Sequence, residues 1–288
     1  VYPRQVRVFA RLWEDHTGDE PRPYRIGANK DTGLLPGLAA LHARGDINHI
    51  QVRIIPGKTF RRDIEVIAAV AIPSIVHAPH HGHGVNPCAP AAYGSRPLPE
   101  IRAHIEEAMS RTSDAADTLG AKTIIIHAGW YEPGGRPTAR EEFHRFLDRH
   151  FDPRLTLENL PAVFCGRPML GTTAEELVDL ADRRIRGFCL DFAHLYCAAN
   201  YLKIPYSEAL EPFRALNLRH FHLSNTEEGS IADRHLPLDH PGGGLPFPDV
   251  VRCIRTRPAT PVSLEYRGPA GFYEAQVTVF DAIFRKFP

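Results

Sequence analysis

Paired cysteines, long apolar runs and an excess of either charge are all missing from this sequence. Its five cysteines (Cys88, Cys165, Cys189, Cys197 and Cys253) are scattered, odd in number and never spaced as CxxC. That excludes a disulfide scaffold and predicts buried free thiols in a reducing cytoplasm. No apolar run approaches the ~20 residues that cross a bilayer, and Val1–Ala10 lacks a signal-peptide pattern. A cytoplasmic protein without a membrane partner is therefore expected. Lys+Arg and Asp+Glu both number 34, so the molecule as a whole exerts no pull on polyanions. Any nucleic acid would have to be gripped by a local basic rim. No fixed-period repeat, low-complexity tract or domain linker divides the 288 residues. With 43% hydrophobic and 24% charged residues, the chain can bury a large core.

What is present is an alternation of short apolar runs with amphipathic stretches. Eight runs read as strands: 24–28, 49–54, 74–78, 123–127, 154–158, 187–191, 219–223 and 261–265. Runs such as Thr123-Ile-Ile-Ile are apolar throughout, as expected for strands covered on both faces. Helices are predicted over 34–43, 61–70, 98–119, 138–150, 173–183, 207–216, 248–255 and 271–286. Thr172-Thr173-Ala-Glu-Glu and Ser207-Glu look like N-terminal caps, and Gly120 sits where a left-handed residue ends the longest helix. Eight βα units are most economically closed into a (β/α)8 TIM barrel, because closure removes both sheet edges. The expected architecture is a single catalytic domain over 24–288, preceded by a short N-terminal extension over 1–23.

In such barrels the chemistry sits at the C-terminal ends of the strands. Here six consecutive strands finish on or near a potential ligand: His77, His127, Glu158, Asp191, His222 and Glu265. His194, Asp233 and His235 follow in what read as loops. A lone histidine at a strand end is most simply a hydrogen-bonded structural residue, but six potential ligands in register are another matter. Carboxylates crowded at a barrel mouth raise one another's pKa values. Cations relieve that repulsion, and neutral imidazoles complete their coordination. Five imidazoles and four carboxylates without a thiolate suit Zn2+, with Mn2+ or Fe2+ possible at carboxylate-rich positions. Nine ligands exceed the needs of one ion and suggest two or three sharing bridging carboxylates, an arrangement at home in phosphoester hydrolysis.

The motifs Val76-His77-Ala-Pro79, Ile126-His127-Ala-Gly129, Leu157-Glu158-Asn159, Cys189-Leu-Asp191-Phe-Ala-His194, His222-Leu-Ser, Asp233-Arg234-His235 and Leu264-Glu265 together resemble endonuclease IV. That family of apurinic/apyrimidinic endonucleases (family 2) lies within the xylose isomerase-like TIM-barrel superfamily. The resemblance runs from about Tyr24 to Phe284 and implies three zinc ions. The first would be held by His77, His127 and Glu158. The second would take Glu158 as a bridge, with Asp191, His222 and Glu265, and the third would take His194, Asp233 and His235. Glu158 and Glu265 would be catalytic, with Glu265 also accepting a proton from the attacking water. The implied function is a DNA-repair hydrolase that incises damaged double-stranded DNA 5′ to abasic sites, with a monomer as the expected state.

The alternative is a single-metal sugar isomerase or epimerase of the same superfamily, which needs only Glu158, Asp191, His222 and Glu265. Asp233-Arg-His235 separates the two, because a one-metal enzyme has no use for it. A barrel that has lost activity and only binds is a third possibility, against which the intact nine-residue set argues. The sequence departs from the family at Ala128, at Ser224-Asn225-Thr226, and at His80, where an aromatic residue usually stands. Expected substrate contacts are Arg53, Lys58, Arg61, His80, Trp130, Tyr131 and Arg234, with Arg62, Arg96, Arg136 and Arg140 as further phosphate candidates.

Overall fold

The computed structural model describes residues 22–30, 34–55, 59–92, 96–185, 187–266 and 268–287. Most of the expected N-terminal extension, and Lys58, lie outside these described residues.

Eight parallel strands close into a barrel: β1 (Arg25–Lys30), β2 (His49–Arg53), β3 (Ser74–His77), β4 (Ile124–Ile126), β6 (Leu155–Glu158), β9 (Gly187–Asp191), β10 (Leu218–Leu223) and β11 (Pro261–Leu264), which pairs back onto β1. The eight expected runs are these eight strands, with ends shifted by at most two residues. The TIM barrel is therefore the fold.

The α-helices among the described residues are α1 (Leu35–Ala43), α2 (Phe60–Ala69), α3 (Leu98–Thr118), α4 (Arg136–Arg149), α5 (Ala174–Ala181), α6 (Phe192–Leu202), α7 (Tyr206–Leu210), α8 (Phe247–Arg255) and α9 (Ala270–Lys286). The stripe Ile101, Ile105, Ala108, Thr112, Ala115–Ala116 buries one face of α3, the 3.6-residue period of an amphipathic helix. Gly120, just past its end, has φ +61 as expected. Thr173 caps α5, its hydroxyl accepting from the Glu176 N–H at 3.3 Å. Glu176 Oε2 in turn accepts from the Thr172 N–H at 2.7 Å.

Three features differ from the sequence reading. Ser207 is not a cap: α7 begins after Pro205, and Glu211–Ala215 continues as a 3-10 turn. Pro212 cannot supply the N–H that a continuous α-helix would need there. The segment after β9 is no loop but the helix α6. Asp191 is its N-cap, with Oδ1 accepting from the His194 N–H at 2.7 Å. Finally, β5 (Gly129–Trp130), β7 (Val163–Phe164) and β8 (Arg167–Leu170) form a small antiparallel sheet outside the barrel. Gly129 has φ +109, and a Cβ there would meet Asn86 Oδ1 at 1.9 Å. The buried Asn86 side chain clamps both the N–H and the C=O of Trp130 at 2.9 Å.

Side chains alternate along a strand, so residues two apart stack as layers inside the barrel. Ile75, Ile125 and Cys189 form a small apolar cluster of their own. In the same lower layer His49 Nε2 and His220 Nε2 share the Ser263 hydroxyl at 3.1 and 3.0 Å. Gly27 makes room for this, since a Cβ there would lie 2.5 Å from His49 Nε2. Two residues further along each strand come Gln51, His77, His127, Glu158, Asp191, His222 and Glu265. The barrel thus changes from floor to polar layer in a single step of the pleat.

Candidate metal centre

Glu158 is fully buried and central. Its Oε2 lies 3.0 Å from His127 Nε2 and 3.4 Å from His77 Nε2, while Oε1 lies 3.0 Å from His222 Nδ1 and 3.3 Å from His194 Nδ1. Potential ligand atoms of Glu158, Asp191, His222 and Glu265 all fall within 4.8 Å of one another, and so do those of His77, Glu158 and His222. A second group sits beside this one: Asp233 Oδ2 is 2.8 Å from His235 Nε2 and 3.6 Å from His194 Nε2. His235 holds φ +47, a left-handed conformation disfavoured for a residue with a Cβ. Its backbone N–H donates to Asp233 Oδ1 at 3.2 Å. The tight turn Asp233-Arg-His235 thereby folds the imidazole onto the carboxylate. All nine expected ligand residues converge on one end of the barrel.

Hydrogen bonds fix which ring nitrogen points inward. His77 Nδ1–H donates to the Ala78 carbonyl at 2.8 Å, so Nε2 faces Glu158. His194 Nδ1–H donates to the Asn159 carbonyl at 2.9 Å, so Nε2 faces Asp233. His222 is reversed: its Nε2–H donates to Gln51 Oε1 at 2.8 Å, leaving Nδ1 for the Glu158 and Asp191 side. The Gln51 amide donates in turn to Glu265 Oε1 at 2.6 Å, which sets its orientation. A partner on the far nitrogen is how metal-binding histidines are oriented.

The electrostatics resemble a cation site in its metal-free form. Burial alone would raise Glu158, but His222 and His127 hold it well below the usual carboxylate range. Burial pushes Asp191 up to about 7, and Asp233 and Glu158 add to the rise. His222 is raised to about 9 because Glu158 and Glu265 outweigh its burial, and Asp191 and Asp233 likewise raise His194. Glu158 Oε1, Asp191 Oδ2 and His222 Nδ1 are buried, and with Nε2–H committed to Gln51 a neutral His222 leaves all three as acceptors facing one another. Buried polar atoms are rarely left so. Three convergent acceptors on potential ligand residues fit a shared cation.

Above the cluster opens a cleft of about 670 Å3 whose walls include Arg53, His80, Phe164, Cys165, Arg234 and Tyr266. Three of the expected substrate contacts (Arg53, His80 and Arg234) are therefore on it, and three others are not. Arg61 lines a separate groove between α2 and α3. Trp130 is buried with Leu160 and Met169, its ring covered by the Arg167 guanidinium at 4.0 Å. Tyr131 packs against the hydrophobic core. Arg136 and Arg140 are engaged with Glu176 and Asp179 on the outer helices. Residue type drew attention to these positions, but the small sheet turns Trp130 inward.

Two residues were missed. Gln51 occupies the ligand layer, and strand periodicity could have found it, being two residues from His49 and from Arg53. Phe164, 42% exposed and 4.6 Å from the His81 ring, follows from the small sheet, whose strands are too short to register as a pattern.

The model of the xylose isomerase-like TIM barrel matches residues 58–282. The chain is 28% identical over 182 residues to "Probable endonuclease 4" of Mycobacterium leprae, covering 62% of this chain and 68% of that protein. It is 26% identical over 211 residues to "Probable endonuclease 4" of Mycobacterium tuberculosis, covering 71% and 77%. Endonuclease IV from Thermus thermophilus superimposes with a TM-score of 0.62 at 21% identity, covering 91% of this chain and 99% of that one. A D-tagatose 3-epimerase-like protein gives a TM-score of 0.65 at 17% identity, covering 91% and 98%. At such identities these two structures share the fold alone. The length of the family match, together with the closed barrel, decides the assignment: this chain belongs to the xylose isomerase-like TIM barrel family.

Proposed function

We propose that the protein is a metal-dependent phosphodiesterase of the endonuclease IV type, incising duplex DNA 5′ to abasic sites with three bound cations, most suitably zinc. The observation that carries this reading is the second ligand group, His194–Asp233–His235, standing beside the Glu158 cluster. A one-ion enzyme would not need a strained turn to hold Asp233 against two imidazoles. The similarity to curated endonuclease 4 proteins supports it. His77, His127 and Glu158 would hold one cation, Glu158 with Asp191, His222 and Glu265 a second, and His194, Asp233 and His235 a third. Bound divalent cations supply an activated water near neutral pH and charge compensation for the phosphoryl group.

The chain's own residues would do the rest. Glu265, oriented by Gln51, accepts a proton from the attacking water. Arg53 and Arg234 flank the cleft, where guanidinium groups can clamp phosphate oxygens. Phe164, on the same rim, offers an aromatic face against which an unpaired nucleotide can stack.

A second reading has its own support. Ligand atoms of Glu158, Asp191, His222 and Glu265 lie within 4.8 Å of one another, and this quartet alone would serve a one-metal sugar isomerase or epimerase. One experiment separates the two: incubation of the zinc- or manganese-loaded chain with a duplex carrying a single tetrahydrofuran abasic analogue. The expected result is 5′ incision by the wild type and its loss in His235→Ala with the fold retained. No incision at stoichiometric enzyme overturns the phosphodiesterase reading. An epimerase should keep its activity in His235→Ala.

A further inference from the structure

The loop after β3 carries His80-His81-Gly-His83, and the nine-residue cluster uses none of these. The loop is built rather than loose. His80 caps the short 3-10 turn His81–His83, with Nδ1 accepting from the Gly82 N–H at 3.1 Å, and the left-handed Gly84 ends it at φ +81. The Val85 N–H returns to the His80 carbonyl at 3.2 Å. This turn lays the His80 and His81 rings over His127, with centroids 5.1 and 5.9 Å from its ring and tilts of 31° and 34°.

His127 differs from the other imidazoles of the Glu158 cluster. His77, His194 and His222 each anchor their second nitrogen on a carbonyl or on Gln51. His127 presents Nε2 to Glu158, yet its buried Nδ1 has no hydrogen-bond partner. Among the described residues, the aromatic rings that reach this one from outside the cluster are His80 and His81.

We propose that His80, His81 and His127 form an additional cation site at the rim of the cleft, suited to a divalent transition ion such as Cu2+ or Zn2+. Ligand nitrogens of the three lie within 4.8 Å of one another. Three nitrogens on one tetrahedral ion with bonds of ~2.0–2.1 Å sit about 3.4 Å apart, so the site closes by a contraction of at most ~1.4 Å. With Nδ1 of His80 held by the Gly82 N–H, Nε2 is the nitrogen it offers. The donor set is all imidazole nitrogen without a carboxylate, which selects copper, zinc or nickel over magnesium and calcium. When His127 binds through both nitrogens, its ring proton leaves to solvent. The site goes beyond the phosphodiesterase reading and shares only His127 with its nine-residue ligand set.

The test is copper titration of the zinc-loaded full chain, read by electron paramagnetic resonance and by metal content after dialysis. The wild type is expected to take up one copper per chain showing coupling to several imidazole nitrogens. His80→Ala and His81→Gln are each expected to lose that copper, or to bind it at least about tenfold more weakly. Zinc bound at the Glu158 cluster should stay. The inference is overturned if the variants bind copper as the wild type does, or if the wild type shows no imidazole-bound copper. His235→Ala is expected to keep the copper while losing zinc and incision, so the two readings fail separately.

Discussion

At the scale of single residues, the ligand layer is held by partners that are not themselves ligands. Gln51 joins His222 on β10 to Glu265 just past β11, accepting from His222 at 2.8 Å and donating to Glu265 at 2.6 Å. Gln51→Leu removes both bonds and frees the His222 ring to turn. Outer partners of this kind are worth roughly 10–100-fold in metal affinity. The expected outcome is a loss of that size in competition with a chromophoric chelator, with an unchanged circular dichroism spectrum. An unchanged affinity would show that the barrel wall alone orients His222. All nine potential ligands were legible in the sequence because they are His, Asp or Glu at strand ends or shortly after them. Gln51 was not, since a search by ligand type passes over an amide. Nor was the burial of Trp130, because nothing in the strand pattern announces the sheet that covers it.

At the scale of elements, the barrel strands were legible and the helix after β9 was not. Short apolar-rich runs, some such as Thr123-Ile-Ile-Ile apolar throughout, mark the strands, and all eight lie within two residues of their expected ends. α6 escaped because Asp191 reads first as a ligand. It is also an N-cap, with Oδ1 on the His194 N–H and Oδ2 left for the cluster. One carboxylate therefore starts the helix and faces the site, and the first turn carries His194 to Asp233. Caps remote from the site should matter only for stability. Thr173→Ala removes the α5 cap and is expected to cost about 1 kcal/mol in urea unfolding, with metal content unchanged. A cost near zero would mean that Glu176, bonded to the Thr172 N–H, suffices by itself.

At the scale of the whole molecule, charge is balanced overall but concentrated at the barrel mouth. Glu158 and Glu265 raise His222 to about 9, and Asp191 and Asp233 raise His194 above the ordinary imidazole value, when no cation is bound. A folded-state pKa above the unfolded value gives stability that is complete below the unfolded pKa of ~6.5 and lost as pH rises through the folded one. Asp191, raised to about 7, acts in the same direction at lower pH. The metal-free protein should therefore lose thermal stability between pH ~6.5 and 9, and bound cations should remove most of that dependence. A melting temperature flat across this window in the metal-free protein would contradict the assignment.

The central claim is that the layer around Glu158 holds cations, and diffraction at the zinc absorption edge from zinc-loaded crystals tests it most directly. The expected result is anomalous density within about 2.0–2.2 Å of both Glu158 carboxylate oxygens, with a further peak between His194, Asp233 and His235. Density at Glu158 alone would reduce the centre to the simpler enzyme of the family, and no density beside Glu158 would contradict the account.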